Sequence, residues 1–438
     1  MLLVTGDIPR LNARRYPGKT ALVFEGRRTS FLELNRQVNR LANGLLSLGI
    51  KKGDKVAVID GNSDRYVVIY LALAKTGALM VPLNFRYAPA EVSYVVQDCE
   101  AVAFIVGEDY VGLVNSVKAE FPRVRYYLLN GPDPPEGYES IDRIMEGAAE
   151  EEPPVELDED DEFFIGYTSG TTGKPKGSVL THRQRLYNSY GMIFEFDVDE
   201  DDVTLNVCPL FHALALHTTM QSFMIVGATN VIVRGFDAKA VYETIERERV
   251  THMSGVPTMF TFLLNFPERD KYDVSSFKKC WYGGSIMPVE VLKQAIDYFE
   301  ADFWQLYGLT EVGIVSVQKP KDQLRKAGVT GRELCHAEVR VVNEEGRDVR
   351  PDGKEVGEII GRGKHLNMNG YYKAPQLDEE VMREGWFYTG DLAVMDEEGF
   401  FTIVDRKKDM IISGGENIYP REIEEVLYTH PGILEAAV

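Results

Sequence analysis

The stretch Tyr167-Thr-Ser-Gly-Thr-Thr-Gly-Lys-Pro-Lys-Gly-Ser-Val-Leu-Thr-His182 brings hydroxyl side chains, flexible glycines and two lysines together in one short segment. The residues just before it, Phe163-Phe-Ile-Gly-Tyr167, are apolar and aromatic and predict a buried strand, whereas Arg183 begins a predicted helix. Glycines between a strand and a helix allow main-chain N–H groups to approach an anion closely. The stretch therefore predicts a loop that holds polyphosphate between a strand and a helix.

The side chains of this loop supply both neutral donors and positive charge. We interpret Lys174 and Lys176 as cations for the terminal phosphates, with Lys176 as the first choice. The loop is not a Walker A element, because Gly173-Lys174 is followed by Pro175 where that pattern has Ser or Thr. From this segment alone, a surface turn rich in glycine and threonine remains an alternative. The other nucleotide contacts predicted in the loop are Thr168, Ser169, Gly170, Thr171, Thr172 and Gly173.

Five further motifs follow the loop in a fixed order along the chain. They are Pro209-Leu-Phe-His212, Tyr282-Gly-Gly-Ser285, Tyr307-Gly-Leu-Thr-Glu311, Tyr388-Thr-Gly-Asp-Leu392 and Asp405-Arg-Lys-Lys-Asp-Met-Ile-Ile-Ser-Gly-Gly-Glu-Asn-Ile-Tyr-Pro420. Each short motif alone is weak evidence for a family, but all of them in this order are rarely expected by chance. With the loop, they make essentially the whole chain resemble the adenylate-forming (ANL) superfamily, which contains acyl-CoA synthetases, luciferases and the adenylation domains of peptide synthetases.

The fold expected from pattern and resemblance is α/β. Between residues 55 and 304 short apolar runs alternate with amphipathic stretches, which predicts mostly parallel sheets covered by helices. The predicted elements include a helix from Tyr66 to Leu79 and a strand from Lys279 to Tyr282. Beyond residue 328 the pattern changes to short strands and turns, as in Glu338–Val342. The resemblance implies a large N-terminal domain over residues 1–404, with two sheets and a small β-barrel subdomain at about 328–404. It also implies a small α+β C-terminal lid that begins at residue 405.

The resemblance assigns the nucleotide-binding roles residue by residue. It implies that Tyr307 and Gly308 lie against adenine, that Thr310 contacts the α-phosphate and that Glu311 holds Mg²⁺. This motif follows the apolar run Phe303–Leu306, which predicts that it lies at the carboxyl end of a strand, where parallel sheets bind ligands. Activation of a carboxylate by ATP needs alignment and charge neutralisation rather than a protein nucleophile, and these groups suit that task. The remaining positions that the resemblance implies are Asp391 and Arg406 at the ribose, Gly283, Gly284 and Ser285 between adenine and acyl group, Lys408 at the lid hinge, and Ser413, Gly414 and Gly415 along a CoA tunnel.

His212 occupies the position that the family places beside the acyl carboxylate. A histidine offers no fixed negative charge for a substrate amine, so an α-amino acid is disfavoured and a plain carboxylic acid is favoured. We prefer a medium- or long-chain fatty acid, with an aryl acid second. The apolar residues predicted for the acyl pocket are Ala213, Leu214, Leu216, Gly255, Val256, Pro257, Met259, Phe260, Ile314 and Val315.

The leading functional hypothesis is an acyl-CoA synthetase that forms acyl-AMP from a carboxylic acid and ATP and then transfers the acyl group to CoA. Two alternatives remain: an adenylating domain that loads a carrier protein, and a nucleotide-binding pseudoenzyme. The chain ends at Val438, inside the apolar run of residues 433–438. The resemblance implies a lysine late in the C-terminal lid, and this sequence has no counterpart of it. We therefore expect a C-terminally truncated fragment of a longer enzyme that adenylates slowly.

Charge, cysteine spacing and apolar content indicate which other functions and locations the sequence disfavours. The formal net charge of −20 disfavours nucleic-acid binding, because phosphate contacts need a basic surface. The cysteines show no C-x-x-C spacing and are interpreted as core thiols in a reducing compartment: Cys99, Cys208, Cys280 and Cys335. We expect a cytoplasmic protein with no transmembrane segment, and we leave membrane-surface contact and homodimer formation open. The acidic, proline-containing residues 131–162 are interpreted as a solvated surface connector.

Overall fold

The computed structural model describes residues 4–168, 174–366, 368–408, 411–413 and 416–418, together with Pro420, Ile423 and Leu427. The described α-helices are α1 Asp7–Arg15, α2 Phe31–Ser47, α3 Asp64–Thr76, α4 Pro89–Asp98, α5 Val111–Val117, α6 Ile141–Met145, α7 His182–Phe196, α8 Gln221–Val226, α9 Ala238–Glu248, α10 Pro257–Leu264, α11 Val289–Phe299, α12 Pro320–Gln323 and α13 Pro375–Val381. Short 3₁₀ turns cover Glu108–Tyr110, Lys118–Glu120 and Arg269–Lys271, and a π-helix covers Leu214–Met220.

The strands fall into two large sheets, one small sheet and one hairpin. They are β1 Thr20–Phe24, β2 Arg27–Ser30, β3 Lys55–Ile59, β4 Leu79–Pro82, β5 Ala103–Gly107, β6 Tyr126–Asn130, β7 Glu139–Ser140, β8 Glu162–Thr168, β9 Lys176–Thr181, β10 Val203–Asn206, β11 Thr229–Ile232, β12 His252–Gly255, β13 Lys279–Gly283, β14 Asp302–Leu309, β15 Gly313–Gln318, β16 Arg332–Glu333, β17 Glu338–Val342, β18 Gly357–Arg362, β19 Met382–Arg383, β20 Trp386–Met395, β21 Phe401–Arg406, β22 Ile411–Ser413 and β23 Glu416–Ile418.

Both large sheets are mainly parallel, as the alternating sequence pattern predicts. One has the order β16-β15-β14-β13-β12-β10-β11-β1-β2, and it is parallel from β14 to β1. The other has the order β7-β6-β5-β3-β4-β8-β9, and only its β8–β9 pair is antiparallel. Helices packed on these sheets bury one extended apolar core that reaches from Ile8 to Phe303. The α/β fold class is confirmed.

The third sheet is small and antiparallel, with β17, β18, β20 and β19 in order and β21 paired to β20. It buries its own apolar cluster against Val312 and Val315 of the large domain. The strand pattern predicted beyond residue 328 is therefore present. The predicted lid boundary at residue 405 falls inside β21, and the division into domains stays a prediction.

Two local expectations were wrong. The helix predicted from Tyr66 to Leu79 ends at Thr76, because Gly77 takes a φ of +71° and the chain continues into β4. Cys335 is exposed, whereas the other three cysteines are buried thiols.

The acidic connector lies mostly at the surface, as predicted, and some of its carboxylates also pair with cations of the large domain. Glu150 forms ion pairs with Arg36 and Arg40 of α2. Glu152 forms an ion pair with the ammonium of Lys75, whose side chain is 4% exposed. The connector also contributes β7 to the edge of a sheet and the short helix α6. The ion pairs of Glu150 and Glu152 attach the connector to α2 and α3.

In the part of the chain that the structure describes, no helix is both long and apolar enough to cross a bilayer.

Candidate active site

A cleft of about 650 Å³ opens where the two large sheets meet the small sheet. It lies at the carboxyl ends of β4 and β14, the edge at which parallel sheets bind ligands. The predicted site residues on its wall are Thr168, Lys176, His212, Gly308, Thr310, Glu311, Asp391, Arg406 and Lys408. The other lining residues are Pro82, Asn84, Tyr87, Phe164, Gly166, Tyr167, Phe211, Ala213, Leu309, Tyr371, Thr389, Gly390 and Lys407.

The turn Thr310-Glu311 follows β14 directly and is held by consecutive side chains of α7. Gln184 donates from Nε2 to the carbonyl oxygen of Glu311 at 2.8 Å, and Arg185 donates to that of Thr310. On the opposite side, a side chain at Gly166 of β8 would begin only 2.8 Å from Cγ2 of Thr310. The close approach of β8 and the two donors of α7 therefore fix the main chain of this turn.

The carboxylate of Glu311 is the group that suits a magnesium ion. Its residue is 9% exposed, lies on the cleft wall and accepts a hydrogen bond from the Tyr371 hydroxyl at 3.0 Å. Mg²⁺ takes hard oxygen ligands and is often held by one or two carboxylates together with substrate phosphates. A single buried carboxylate, on a cleft wall that also includes Thr310 and Thr168, fits that donor set.

Lys176 faces the cleft from a strand and not, as interpreted above, from the loop itself. It begins β9 opposite Thr168 of β8, and its Nζ lies 5.8 Å from the ring centre of Tyr371. Lys174 does not line the cleft, because its Nζ lies over the ring of Tyr94 on α4, 5.6 Å from the centroid. The predicted contacts Ser169, Gly170, Thr171, Thr172 and Gly173 lie outside the described residues.

Asp391 enters the cleft from β20, directly after Gly390, whose φ of +76° makes the turn. One carboxylate oxygen accepts from the hydroxyl of Tyr307, and the other lies 3.4 Å from Nε of Arg406. A carboxylate has about four acceptor positions, so both oxygens keep the capacity to accept ribose hydroxyls. Burial raises the pKa of Asp391, against the opposing effects of Tyr307 and Arg406.

The raised pKa gives a testable pH dependence for nucleoside binding. Because the ionised carboxylate is the acceptor, we expect adenosine binding to weaken as the pH falls through the pKa of Asp391. That loss should occur at a higher pH than the ordinary aspartate value of about 3.9. Asp391→Asn should weaken binding roughly tenfold at neutral pH, since a charged acceptor is lost. It should also remove this pH dependence.

Adenosine titrations by calorimetry from pH 5 to 8 measure both effects, because adenosine carries no phosphate that titrates in this range. Asp348→Asn is the matched control, as Asp348 pairs with Arg340 away from the cleft. An unchanged pH profile in Asp391→Asn would contradict the prediction.

Tyr307 supports Asp391 rather than lining the cleft. Its hydroxyl is engaged by that carboxylate, and its ring meets Phe401 edge-on at 6.3 Å. Its neighbour Gly308 does line the cleft, and a Cβ there would lie 2.3 Å from the carbonyl oxygen of Gly313. Glycine is therefore required where β14 and β15 approach at their irregular register.

His212 is exposed to the cleft and follows a turn that Asn62 fixes. Asn62 donates to the carbonyl oxygen of Cys208 at 2.9 Å and accepts from the N–H of Leu210 at 2.8 Å. The imidazole packs against the ring of Phe211 at 4.6 Å. Partial burial and then the charge of Arg86 lower the pKa of His212, so a neutral imidazole faces the cleft near pH 7.

Most of the residues predicted for the acyl pocket do not line this cleft. Of the ten predicted residues only Ala213 lines the cleft, whereas Leu216 and Phe260 belong to the main core. Ile314 and Val315 lie in different apolar clusters, because successive residues of β15 point to opposite faces of the sheet. These two side chains therefore cannot line one pocket together.

The remaining predicted positions lie around the cleft or beyond the described residues. Gly283 ends β13, beside the strand that carries Gly308, and a Cβ there would lie 2.8 Å from the carbonyl oxygen of Leu306. Gly284 and Ser285 follow it and are exposed. Of the predicted CoA-tunnel residues, Ser413 ends β22, and Gly414 and Gly415 lie outside the described residues. A lid helix, which the resemblance implies over residues 420–428, is described only at Pro420, Ile423 and Leu427.

Several residues of the cleft wall were not predicted from the sequence, although some of them lie in sequence patterns that indicate a structural role. Gly166 interrupts an apolar strand, a pattern that indicates close backbone approach. Gly390 precedes a carboxylate within a turn motif that was already recognised. Tyr371 lies in none of the recognised motifs, and only the three-dimensional structure brings its hydroxyl to Glu311.

Comparison with known proteins agrees with this geometry. Residues 10–372 match the family model described as AMP-binding enzyme. The chain is similar to a feruloyl-CoA synthase of Amycolatopsis sp, with 36% identity over 435 residues that cover 99% of this chain and 84% of the relative. It is also 36% identical over 437 residues to the long-chain-fatty-acid–CoA ligase FadD13 of Mycobacterium tuberculosis, covering 98% and 82% of the two chains.

A similar solved structure is O-succinylbenzoate coenzyme A synthetase (MenE) from Bacillus subtilis in complex with ATP and magnesium ion. It superposes with a TM-score of 0.87 at 30% identity, over 99% of this chain and 86% of that chain.

Proposed function

The chain belongs to the AMP-binding enzyme family, and we propose from that premise that it is an ATP-dependent, AMP-forming acid–CoA ligase for a hydrophobic carboxylic acid. The family membership confirms the resemblance found in the sequence. The observation that carries the proposal is the convergence of Lys176, Glu311 and Asp391, from three distant segments, on one cleft. A cation, a metal-binding carboxylate and a ribose acceptor together match the parts of ATP.

In the proposed first step, an oxygen of the substrate carboxylate attacks the α-phosphorus of ATP, and pyrophosphate leaves. The carboxylate is already ionised near neutral pH, so the chain needs no base for this step. Lys176 neutralises the phosphates that depart, Thr310 donates to the α-phosphate and Asp391 with Arg406 holds the ribose. Mg²⁺, when bound at Glu311, supplies positive charge to the triphosphate. In the second step the CoA thiolate attacks the acyl carbon and AMP leaves.

The substrate is proposed to be a hydrophobic acid without an α-amino group. His212 presents a neutral imidazole at the cleft, so its position offers no fixed negative charge to a substrate amine. The sequence-based preference is a medium- or long-chain fatty acid. A specific observation favours a compact aryl acid as the second candidate: Phe164, Tyr167 and Phe211 contribute aromatic surface to the wall, while most of the residues predicted for the acyl pocket do not line it.

A panel of acids tests the proposal and separates its rivals. We expect pyrophosphate release with at least one fatty or aryl acid and little with α-amino acids. Formation of acyl-CoA from free CoA, without any carrier protein, distinguishes a CoA ligase from a carrier-loading domain. ATP binding without pyrophosphate release for every acid would instead indicate a nucleotide-binding protein. Mass spectrometry of molecules that co-purify with the chain would identify a retained acyl-adenylate directly.

A further inference from the structure

Residues 370–372 extend the edge of the seven-stranded sheet. The N–H of Val179 donates to the carbonyl oxygen of Gly370 at 3.0 Å, and the N–H of Tyr372 donates to that of Gly177 at 2.7 Å. Ser178 and Tyr371 form an antiparallel bridge between these bonds. Tyr371 is therefore held by the same strand, β9, that begins with Lys176.

The side chain of Tyr371 crosses from this edge to the metal-binding carboxylate. Its hydroxyl donates to Oε1 of Glu311 at 3.0 Å, and its ring centre lies 5.8 Å from Nζ of Lys176. Its main-chain N–H donates to Oδ1 of Asp378 at 2.7 Å. Burial and the nearby carboxylate of Glu311 raise the pKa of Tyr371, so the phenol stays protonated and donates throughout the neutral range.

We propose that Tyr371 is a positioning residue of this cleft: its hydroxyl orients the Glu311 carboxylate for the magnesium ion that accompanies ATP, and its main-chain pairing ties that carboxylate to the strand that carries Lys176. The inference rests on the proposed function and adds a residue outside the recognised motifs. The hydrogen bond orients the carboxylate in advance, because a carboxylate that accepts a fixed hydrogen bond loses rotational freedom before the ion binds. Lys176 and Glu311, which face the same phosphates, then share one support.

Tyr371→Phe tests this role by removing only the hydroxyl. We expect the Mg²⁺ concentration that gives half-maximal ATP binding to rise about tenfold, as for loss of a hydrogen bond to a charged group. ATP binding in EDTA and the thermal midpoint should stay unchanged, since the ring and the strand pairing remain. Calorimetric titration of ATP at graded Mg²⁺ concentrations measures the shift without depending on turnover.

Tyr372→Phe is the matched control. Its hydroxyl donates to Glu100 at 3.2 Å, and it does not line the cleft. It should leave the Mg²⁺ dependence unaltered. In the Glu311→Gln background, adding Tyr371→Phe should have no further effect, because the hydroxyl acts through that carboxylate.

The outcomes separate the two proposals. A normal Mg²⁺ response in Tyr371→Phe, with the unaltered protein responding to Mg²⁺, overturns the positioning role alone. An additive loss in the double variant also overturns it. If the unaltered protein showed no Mg²⁺-dependent ATP binding and released no pyrophosphate with any acid, the proposed function would fail, and the inference with it.

Discussion

Replacement of Glu311 by Gln is expected to reduce pyrophosphate release by about 10²- to 10³-fold, the loss typical when one stabilising group at a developing charge is removed. The substitution keeps the shape and the acceptor for Tyr371 but removes the negative charge that attracts Mg²⁺. The turn should keep its place, because Gln184 and Arg185 hold its main chain and not its side chain. The loss should therefore concern the ion rather than the fold.

ATP binding measured without and with Mg²⁺ separates loss of the ion from a change in the fold. Calorimetry should show that ATP binds Glu311→Gln in EDTA as it binds the unaltered chain, while the gain in affinity from added Mg²⁺ disappears. Glu338→Gln serves as the control, since Glu338 pairs with Arg362 on the surface of the small sheet. A variant that retained full Mg²⁺ dependence would refute the assignment of the metal to Glu311.

Local patterns predicted much of the scaffold because strands and helices carry their own periodicity. The strand predicted at Lys279–Tyr282 is β13, extended by one residue, and that predicted at Glu338–Val342 matches β17. The position of Tyr307 before the end of a strand also placed Thr310 and Glu311 correctly at the sheet edge. The order of the motifs then supplied the family.

What the sequence could not predict depends on pairs of distant segments. Tyr371 reaches Glu311 across 60 residues of chain, and Arg185 reaches Thr310 across 125. Neither contact leaves a local pattern, because each depends on how two sheets meet. Ile314 and Val315 were assigned to one pocket for a related reason: hydrophobicity identified buried residues but not which face of β15 each one occupies.

Among the residues that hold the turn Thr310-Glu311, Arg185 is the most unusual. The guanidinium is fully buried, and its Nε and Nη1 have no hydrogen-bond partner among the described residues. Burial lowers its pKa to about 10, although Tyr70 and Glu311 oppose the shift. An unpaired buried cation is destabilising, and replacing such groups by apolar side chains of similar volume is often neutral or stabilising. The one described hydrogen bond of the guanidinium goes to the turn that carries Glu311, the proposed magnesium ligand.

Arg185→Met is therefore expected to separate activity from stability. The thermal midpoint should hold or rise, because the cost of the buried charge disappears. Pyrophosphate release should fall by about 10²-fold, since misplacement of catalytic groups by about 1 Å costs that much. Lys75→Met gives the opposite pattern and is the control. Lys75 is a buried cation that donates to Asn35, Asn39 and Glu152, remote from the cleft.

Loss of the Lys75 ammonium should lower stability by about 1–3 kcal/mol through its unpaired partners and leave turnover unchanged. The two variants together decide why α7 carries a buried charge. If Arg185→Met unfolds at a lower temperature and turns over normally, the guanidinium is a structural element of the core. If it keeps its thermal midpoint and loses turnover, the protein retains an energetically unfavourable cation because that cation holds Thr310 and Glu311 in place.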